Sequence, residues 1–322
     1  MRAVVIHQFG DPKQLKVEDV PTPASAAGEV LVEVKAASIN ASDVKNVKGH
    51  MHGTTLPRIP GRDFAGIVVR GPKELIGREV FGTGGDIGFT RDGSHAQFIA
   101  LPVDGVTLKP EALYMEAAGM AGVTYVTAWS AMVVTANVER GETVLVIGAA
   151  GGVGSAAVQI AAWRGASVIG GVRSDADIAA ARENGASDVL NTKSADLLER
   201  VRAMTGGRGA DVVFDSSGMM FAEAAEAAAM HGRIPVISAP ADGHASFNLR
   251  SIYRKELRVI GIDTRRLDSV ACAKLLAEML PGFESDALKV KPGEPRPLSA
   301  AAQAYEEAAA GGRRIVLRPD LG

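Results

Sequence analysis

The sequence predicts an α/β protein in which an N-terminal β domain precedes a doubly wound parallel sheet. Up to about residue 106 the chain shows short β-type runs, such as RAVVIH and EVLVEVKAASIN, which Gly, Pro and Asp separate. This pattern is typical of a mostly antiparallel barrel or sandwich. From residue 143 onward, strand-like runs alternate with helical runs. That alternation implies right-handed crossovers and therefore a parallel sheet.

The composition is that of a globular protein, and it excludes several function classes. The chain has 322 residues, which favours two domains, with 47% hydrophobic residues, 22% charged residues and a net charge of −2. Because there is no basic excess, nucleic acid is a poor candidate partner. The single cysteine, Cys272, allows neither an internal disulfide nor a metal site of several thiolates.

An uncharged stretch at residues 143–163 is long enough to span a bilayer. Glycines at 148, 151, 152 and 154 interrupt it, and its character changes from β-branched to alanine-rich. We therefore expect a strand, a tight turn and a helix, and no membrane span. The first residues, MRAVVIHQFG, are typical of a strand and a turn, so we expect no signal peptide and a cytoplasmic location.

The elements of the second half can be placed in order. From about residue 113 the pattern changes, and the segment EALYMEAAGMAGVTYVTAWSAMVVTA (111–136) is predicted as helical, although the run 124–127 could break the helix. The predicted strands of the parallel sheet are TVLVIG, ASVIGGV, SDVLN, ADVVFDSSG, GRIPVISA and LRVIGID. Helices are predicted at 153–164, 175–184, 195–205, 221–230, 270–280 and about 300–310, and RRIVLRP is predicted as a final strand.

A glycine-rich turn, Ala149-Ala150-Gly151-Gly152-Val153-Gly154, follows the first of these strands and opens a helix. In the dinucleotide motif such glycines permit a tight turn, let the backbone approach a pyrophosphate and let the helix pack on the strand. The helix N-terminus then offers N–H groups to the phosphate. Ala149 occupies the first glycine position of the motif, where Gly148 could provide the freedom instead. We expect residues 150–154 to bind a dinucleotide.

The end of the next strand distinguishes NADP(H) from NAD(H). An NAD site usually has an acidic residue there, which accepts hydrogen bonds from the ribose hydroxyls. Here the strand ends without a carboxylate, and Arg173 and Ser174 follow it. A guanidinium pairs well with a 2′-phosphate, so the sequence favours NADP(H). Two alternatives stay open: Arg173 could be an exposed loop residue, and Asp175 could still bind a ribose.

Four segments together carry a family resemblance: AAGGVGSAAVQIA, GRGADVVFDSSG, GRIPVIS and PRIPGRDFAGIVV. The chain resembles the medium-chain dehydrogenase/reductase superfamily, and within it the zinc-independent quinone oxidoreductases. The resemblance covers nearly the whole chain. It implies a GroES-like catalytic domain (1–120 and 265–322), a Rossmann dinucleotide-binding domain (121–264) and a homodimer. The segment FNLRSIYRKELRVIGI contains a strand expected at the sheet edge, where a symmetry mate could cover it.

The resemblance also implies that no zinc is bound. Zinc-dependent relatives carry Gly-His-Glu where this chain has Gly61-Arg62-Asp63, and the cysteine they carry in the loop SINASDVKNVKG is absent here. His50 and His52 lie close in sequence, but such a pair without further ligands is more often solvated. The remaining histidines show no partner spacing and are interpreted as structural: His7, His95, His231 and His244.

Site residues are implied by the same resemblance. Asn40 matches an asparagine near the nicotinamide, Asp43 an acidic position in the same loop, and Thr127 a threonine under the nicotinamide ring. Asn40 could instead cap a turn, and Thr127 could be an ordinary helix residue. Lys45 stands where a tyrosine is often found, so the proton donor stays open, with Tyr125 as a possible substitute. The other expected cofactor contacts are Ser216, Ser217, Ile237, Ser238, Thr264 and Arg314, with Arg313 as an alternative to Arg314.

Without a metal, alcohol oxidation loses its Lewis acid, whereas hydride delivery to an electrophilic acceptor needs none. The sequence therefore favours an NADPH-dependent reductase of a quinone or an activated enone. In this hypothesis the Asn40 amide donates a hydrogen bond to the developing negative oxygen. Two alternatives remain. One is an enoyl-thioester reductase, which should need a basic groove and a reliable proton donor, and the other is a non-catalytic NADPH-binding regulatory protein.

Overall fold

The computed structural model describes residues 1–193, 196–311 and 313–321. The chain forms two units. The first unit comprises Met1–Val126, Thr264–Asp286 and Val290–Gly322, and the second comprises Thr127–Asp263 and Ala287–Lys289.

The strands of the described residues are, in chain order, β1 (Arg2–Val5), β2 (Lys16–Asp19), β3 (Glu29–Ser38), β4 (Phe64–Arg70), β5 (Glu79–Gly82), β6 (Phe98–Pro102), β7 (Thr107–Leu108), β8 (Thr143–Ile147), β9 (Ser167–Val172), β10 (Asp188–Asn191), β11 (Ala210–Asp215), β12 (Ala228–Val236), β13 (Arg258–Gly261), β14 (Glu294–Pro297) and β15 (Ile315–Arg318). The α-helices are α1 (Ala41–Val47), α2 (Met115–Ala118), α3 (Gly122–Trp129), α4 (Gly152–Trp163), α5 (Ile178–Glu183), α6 (Leu197–Met204), α7 (Phe221–Ala227), α8 (Leu249–Arg254), α9 (Ser269–Glu284) and α10 (Ala301–Ala310).

The first unit is built around β3. This strand pairs antiparallel with β4 on one side and with β6 and β15 on the other, and β5 and β7 extend the sheet beyond β4. The C-terminal strand β15 thus joins the N-terminal sheet, as the resemblance implies. The inward side chains of β3, β4, β5 and β6 form an apolar core that includes Val30, Val32, Val34, Phe64, Val68, Val80, Ile99 and Leu101. Because β3 is anchored on both sides, the loop that follows it starts from a fixed point.

The second unit is a parallel sheet with the strand order β10-β9-β8-β11-β12-β13. Every adjacent pair in it is parallel. Numbered from β8, this is the order 3-2-1-4-5-6 of a doubly wound sheet, so the α/β prediction is confirmed. The strand predicted from LRVIGID is β13, and it lies at the sheet edge as expected.

Several element boundaries differ from the predictions. The helix predicted at 221–230 ends at Ala227, because residues 228–236 form β12 and pair with β11. The helix predicted at 175–184 is a short 3₁₀ turn (Asp175–Asp177) followed by α5. The run 124–127 does not break the helix, since all four of its residues lie inside α3. The predicted start of the helix at 195 lies outside the described residues.

A π-helical segment, Ser130–Thr135, continues from α3. No helix within the described ranges combines the length and the apolar character that a bilayer crossing requires.

Candidate functional site

The predicted cofactor residues of the second unit lie at one edge of its sheet. Because the strands are parallel, their carboxyl ends share that edge. The glycine turn follows β8, residues 173–174 follow β9, residues 216–217 follow β11, and residues 237–238 follow β12. The strand order reverses between β8 and β11, which is where open α/β sheets bind ligands. The fold therefore brings these residues together, while their binding role stays a prediction.

The turn after β8 depends on glycine at two positions. Gly148 has φ +82°, and its N–H and that of Ala149 both donate to Gly171 O, at 2.9 and 3.1 Å. Gly154 approaches this turn so closely that a Cβ would lie 2.0 Å from Gly148 O. Ala149 is fully buried. Gly148 therefore provides the backbone freedom that the motif's first glycine would otherwise supply.

The N-terminus of α4 is open to a phosphate. The helix begins after the N-cap residue Gly151, and no side chain caps it. The first N–H groups of a helix lack intrahelical partners and carry a partial positive charge. Among the described atoms, a Cβ on Gly151 would have only Gly148 O within 4 Å, at 3.2 Å. The residues thus offer the space and the donors that a dinucleotide pyrophosphate requires.

Arg173 is an exposed cation at this edge. Among the described residues its guanidinium has no hydrogen-bond or ion-pair partner. Asp175, the alternative ribose ligand, already accepts a hydrogen bond from Asn191 Nδ2 at 2.9 Å. Ser174 Oγ accepts from Ala176 N at 3.2 Å, and its hydroxyl hydrogen can still be donated elsewhere. Of these three side chains, only Arg173 carries the positive charge that suits a 2′-phosphate.

Asp215 organises the loop after β11, and sequence reasoning missed it. Its buried carboxylate accepts hydrogen bonds from Ser217 N at 2.9 Å, from Ser217 Oγ at 2.6 Å and from Met220 N at 2.7 Å. Ser216 Oγ donates to Ile147 O at 3.0 Å, which ties the loop to the end of β8. An aspartate that ends a strand just before Ser-Ser-Gly is an Asx-turn signal that could have revealed this role.

The loop after β11 also contacts the chain that follows β12. A Cβ on Gly218, which has φ +72°, would lie 2.5 Å from Ser238 C. Ile237 and Ser238 are half-buried. The backbones of the two loops are therefore in close contact. This contact holds the predicted ribose-binding residues of both loops in place.

The first unit holds a second group of candidate residues, which we call the polar cluster: Ser38, Asn40, Asp43, Arg62 and Asp63. Asp63 is fully buried at its centre. Its Oδ2 accepts hydrogen bonds from Ser38 Oγ and Asn40 Nδ2, each at 2.9 Å, and its Oδ1 accepts from Val123 N at 2.8 Å. Burial raises the pKa of the Asp63 carboxyl overall, although the hydrogen bonds from Asn40 and Val123 N and the Arg62 cation offset part of this rise.

Both the side chain and the backbone N–H of Asn40 donate hydrogen bonds to neighbouring residues, which changes the role expected of it. Its Nδ2 donates to Ser38 Oγ at 3.0 Å as well as to Asp63, so both amide hydrogens are engaged. It also caps α1, where it forms a capping box with Asp43, and its backbone N–H donates to Asp43 Oδ2 at 2.7 Å. A hydrogen bond from the amide to a substrate oxygen would require one of these bonds to break. The predicted donation stays a prediction, and the geometry favours a positioning role.

Asp43 is the second buried carboxyl of the polar cluster. It is 1% exposed, and its Oδ1 has no hydrogen-bond partner within the described part of the chain. Burial, reinforced by the charge of Asp63, raises the pKa of Asp43 to about 7. At neutral pH this group therefore exchanges between its protonated and ionised forms.

The free energy of unfolding should depend on pH because Asp43 titrates. A raised pKa in the folded state means that the contribution of Asp43 is fully present below its unfolded pKa near 4 and is lost as the pH rises through about 7. We therefore expect the free energy of unfolding of Asp43→Asn, measured with denaturant, to rise relative to that of the wild type by roughly 1–3 kcal/mol between pH 5 and pH 9. Asp104→Asn, at an exposed position, is the control and should show no such trend. A constant difference between Asp43→Asn and wild type across this range would contradict the assignment.

Arg62 occupies the position at which the zinc-dependent relatives carry histidine. It is 2% exposed, its Nε donates to Gly84 O at 2.9 Å, and its Nη2 lies 3.5 Å from Thr264 O. Thr264, a predicted cofactor contact, is thus held through its carbonyl. Within the described ranges no group of three or more His, Cys, Asp or Glu side chains could hold a metal ion.

The other predicted residues are distributed as follows. Arg314 lies near the polar cluster, where its Nη1 donates to Lys291 O at 3.2 Å and its Nη2 lies 3.5 Å from Met120 O. Burial lowers the pKa of Arg314, while Tyr125 and Asp63 raise it. Arg313 instead pairs with Glu294 at 3.4 Å, and Lys45 is exposed. Thr127 is buried on α3.

Comparison with known proteins gives consistent matches. Residues 26–111 match the family described as an alcohol dehydrogenase GroES-like domain, and residues 152–279 match the family described as a zinc-binding dehydrogenase. A zinc-type alcohol dehydrogenase-like protein of Schizosaccharomyces pombe is 37% identical over 286 residues, which cover 86% of this chain and 82% of the relative. The quinone oxidoreductase of Rattus norvegicus is 32% identical over 315 residues, with coverages of 95% and 93%.

Solved structures agree with these sequence matches. A mycobacterial protein crystallised in complex with NADPH superimposes with a TM-score of 0.85 at 25% identity, and the match covers 99% of this chain and all of that one (100%).

Proposed function

The chain belongs to the medium-chain dehydrogenase/reductase superfamily, in its quinone oxidoreductase-like branch, and from that premise we propose that it is an NADPH-dependent, zinc-free reductase of quinones or activated enones. It is an oxidoreductase by family. The cofactor choice rests on two observations: Gly151 leaves the start of α4 uncovered, and an exposed arginine, Arg173, directly follows the next strand, which has no carboxylate at its end. A relative with this fold binds NADPH, which supports the proposal.

In this proposal the two predicted domains have different roles. Residues 121–264 bind the dinucleotide, and residues 1–120 and 265–322 form the catalytic domain. The N–H groups at the start of α4 hold the pyrophosphate, and Arg173 and Ser174 hold the 2′-phosphate. When bound, the cofactor supplies the hydride. Ser216, Ser217, Ile237 and Ser238 line the ribose positions, and Thr127 lies under the nicotinamide ring.

The polar cluster favours a developing negative charge on an acceptor oxygen. The guanidinium group of Arg62, which is buried, and that of Arg314, which is half-buried, both lie close to Asp63. Asp43 is partly protonated near pH 7, so the cations outweigh the carboxylates there. Positive groups that are already held in position before the reaction stabilise an oxyanion, because they need not reorganise as its charge develops. Asn40 and Ser38 hold the Asp63 carboxylate, so that it does not approach the acceptor oxygen.

The proposal is zinc-free because the donor set does not suit zinc. A guanidinium stays protonated and cannot ligate a metal, and Arg62 stands at a ligand position of the zinc-dependent relatives. Asp63 already accepts hydrogen bonds from Ser38, Asn40 and Val123 N. The only cysteine of the chain, Cys272, is buried, and burial raises the pKa of its thiol to about 12, so that a thiolate is disfavoured.

The experiment that tests the function is a steady-state assay of NADPH oxidation against a panel of benzoquinones, naphthoquinones and activated enones. We expect turnover with at least one quinone or enone, a preference for NADPH over NADH, and unchanged rates after dialysis against a chelator. Elemental analysis of the same preparation should find no stoichiometric zinc. Reduction confined to an enoyl thioester, NADPH binding without turnover, or activity that is lost with a bound metal would each refute the proposal.

We also propose that the protein is a homodimer. The edge strand β13 is exposed, with Val259 at 44% exposure, and exposed apolar side chains lie nearby in sequence at Leu249 and Tyr253. An edge of this kind is covered when it pairs with its symmetry mate across a two-fold axis. Light scattering at micromolar concentration should give twice the chain mass. Val259→Lys should shift the protein toward monomer, whereas Val69→Lys, at a similarly exposed strand position in the first unit, should not. A monomeric wild type would contradict the proposal.

A further inference from the structure

A buried pair formed by His95 and Tyr305 lies behind the polar cluster and has no role in the proposed function. Both side chains are fully buried. His95 Nδ1 and Tyr305 Oη are 2.8 Å apart, and His95 Nε2 is 3.0 Å from Ser38 O. The two rings also meet edge to face at a centroid distance of 5.5 Å. Tyr305 lies on α10, 210 residues along the chain from His95, so this contact joins the C-terminal helix to the segment that precedes β6.

The partners of the imidazole determine its tautomer. Burial lowers the pKa of His95 to about 4, so the ring is neutral at neutral pH and carries one N–H. Ser38 O is a carbonyl and can only accept, so the hydrogen must be on Nε2. Nδ1 is then an acceptor, and Tyr305 donates to it. Burial and the charge of Asp43 raise the pKa of Tyr305 well above its ordinary value, which keeps the phenol protonated for that donation.

His95 also supports the segment that carries Arg62 and Asp63. Gly61 has φ +96°, and a Cβ there would lie 2.3 Å from His95 Cδ2, so the ring rests directly on the Gly61 backbone. His95 N donates to Pro60 O at 3.0 Å, and the neighbouring Ser94 donates through Oγ to Asp63 O at 2.6 Å. The residue therefore contacts both chain segments that form the polar cluster, the end of β3 and residues 60–63.

We propose that Tyr305 and His95 are positioning residues of the candidate site. Tyr305 holds His95, His95 holds the Ser38 carbonyl and the Gly61 backbone, and Ser38 Oγ together with Asn40 then holds Asp63. Because both side chains are fully buried, they act through their neighbours rather than by contact with a substrate. The link to catalysis rests on the proposed function, whereas the chain of hydrogen bonds does not.

The test compares Tyr305→Phe, His95→Gln and His95→Leu with Tyr114→Phe, a control at an exposed tyrosine of the first unit. Tyr305→Phe removes only the hydroxyl and keeps the ring contact. The carboxamide of His95→Gln can both donate to Ser38 O and accept from Tyr305, whereas His95→Leu can do neither. Two readouts are used: ¹⁵N NMR of the imidazole and of the Asn40 side-chain amide, and kcat and KM with NADPH and a quinone.

In the wild type the imidazole spectrum should show a single Nε2–H tautomer. Tyr305→Phe should keep this tautomer, because Ser38 O still requires the hydrogen on Nε2, but it should shift the Nδ1 and Asn40 amide resonances and lower kcat by about tenfold, because the polar cluster loses its support. His95→Leu should shift the Asn40 amide resonance and lower kcat further, and His95→Gln should recover most of the activity. KM for NADPH should stay unchanged in every variant. Tyr114→Phe should match the wild type in both readouts.

Two results would overturn the proposal. An Asn40 resonance and a kcat that are unchanged in Tyr305→Phe would show that the hydroxyl positions nothing. A His95→Gln variant as impaired as His95→Leu would show that the shape of the ring, and not its hydrogen bonds, is what matters. If His95→Leu does not fold, the other two variants still decide the question. If the wild type reduces no quinone or enone, the proposed function fails while the NMR readouts still test the positioning.

Discussion

Gly151→Val should weaken the binding of both NADPH and NADH by at least about 100-fold, which corresponds to the loss of about 3 kcal/mol of phosphate contacts. The backbone of Gly151 has φ −74° and ψ 167°, a conformation that valine adopts readily. Its added Cβ would have Gly148 O as its nearest neighbour, at 3.2 Å, so the turn needs to shift by only a few tenths of an ångström. The branched side chain would then cover the first N–H groups of α4, where the pyrophosphate is expected.

The comparison variant is Gly154→Ala, three residues further along the same turn. There a Cβ would lie 2.0 Å from Gly148 O, so the helix must move away from the strand. We expect Gly154→Ala to lower the thermal midpoint by several degrees or more, and Gly151→Val to leave it nearly unchanged. Fluorescence titration with both nucleotides and thermal unfolding would be measured on the same preparations. Wild-type affinity in a folded Gly151→Val variant would show that the pyrophosphate does not bind at this turn.

The position of this turn could be predicted from the sequence because its signals are local. A β-branched run, a group of glycines and an alanine-rich run follow one another within residues 143–163. The alternation that comes after them predicted the parallel sheet and placed β13 at its edge. Such patterns arise from side-chain periodicity along one element, so a single sequence contains them.

The boundary errors show where local signals fail. The alanine-rich run 221–230 is typical of a helix, but its last residues belong to β12 because they pair with β11. The helix that does form ends at Ala227, and Lys255 Nζ donates to its carbonyls Ala225 O and Glu226 O, at 3.2 and 2.7 Å. Pairing within the sheet thus outweighs helix propensity there.

The hydrogen bonds of the candidate site could not be predicted, because they join residues far apart in sequence. Asn40 was predicted as a site residue, but the engagement of both of its amide hydrogens depends on Asp63. His95 was interpreted as structural because it has no partner at a recognisable spacing. Its partner, Tyr305, lies 210 residues away, and only the return of the C-terminal segment to β3 brings the two together.

Arg173→Ala should weaken NADPH binding by about 10- to 100-fold and leave NADH binding nearly unchanged. A charge-assisted contact with a phosphate contributes roughly 1.5–3 kcal/mol, and 1.4 kcal/mol corresponds to a tenfold change in affinity. Because Arg173 is exposed, salt screens part of this contact, so the difference between the two nucleotides should shrink as ionic strength rises. Arg182→Ala is the matched control. It removes an exposed arginine near the C-terminus of α5, and parallel-sheet topology places that helix end at the opposite edge of the sheet from the predicted phosphate.

Arg173→Asp should shift the preference further, since a carboxylate repels the 2′-phosphate and can accept a hydrogen bond from a ribose hydroxyl. The expected order of NADPH affinity is therefore wild type, then Arg173→Ala, then Arg173→Asp, with NADH affinity constant or rising across the same series. Fluorescence titration of each variant with both nucleotides measures this order. If Arg173→Ala weakened the two nucleotides equally, Arg173 would not distinguish them, and Ser174 would be the next residue to test. If the wild type preferred NADH, the NADPH assignment itself would be wrong, because the cation at the end of β9 would then have no phosphate to bind.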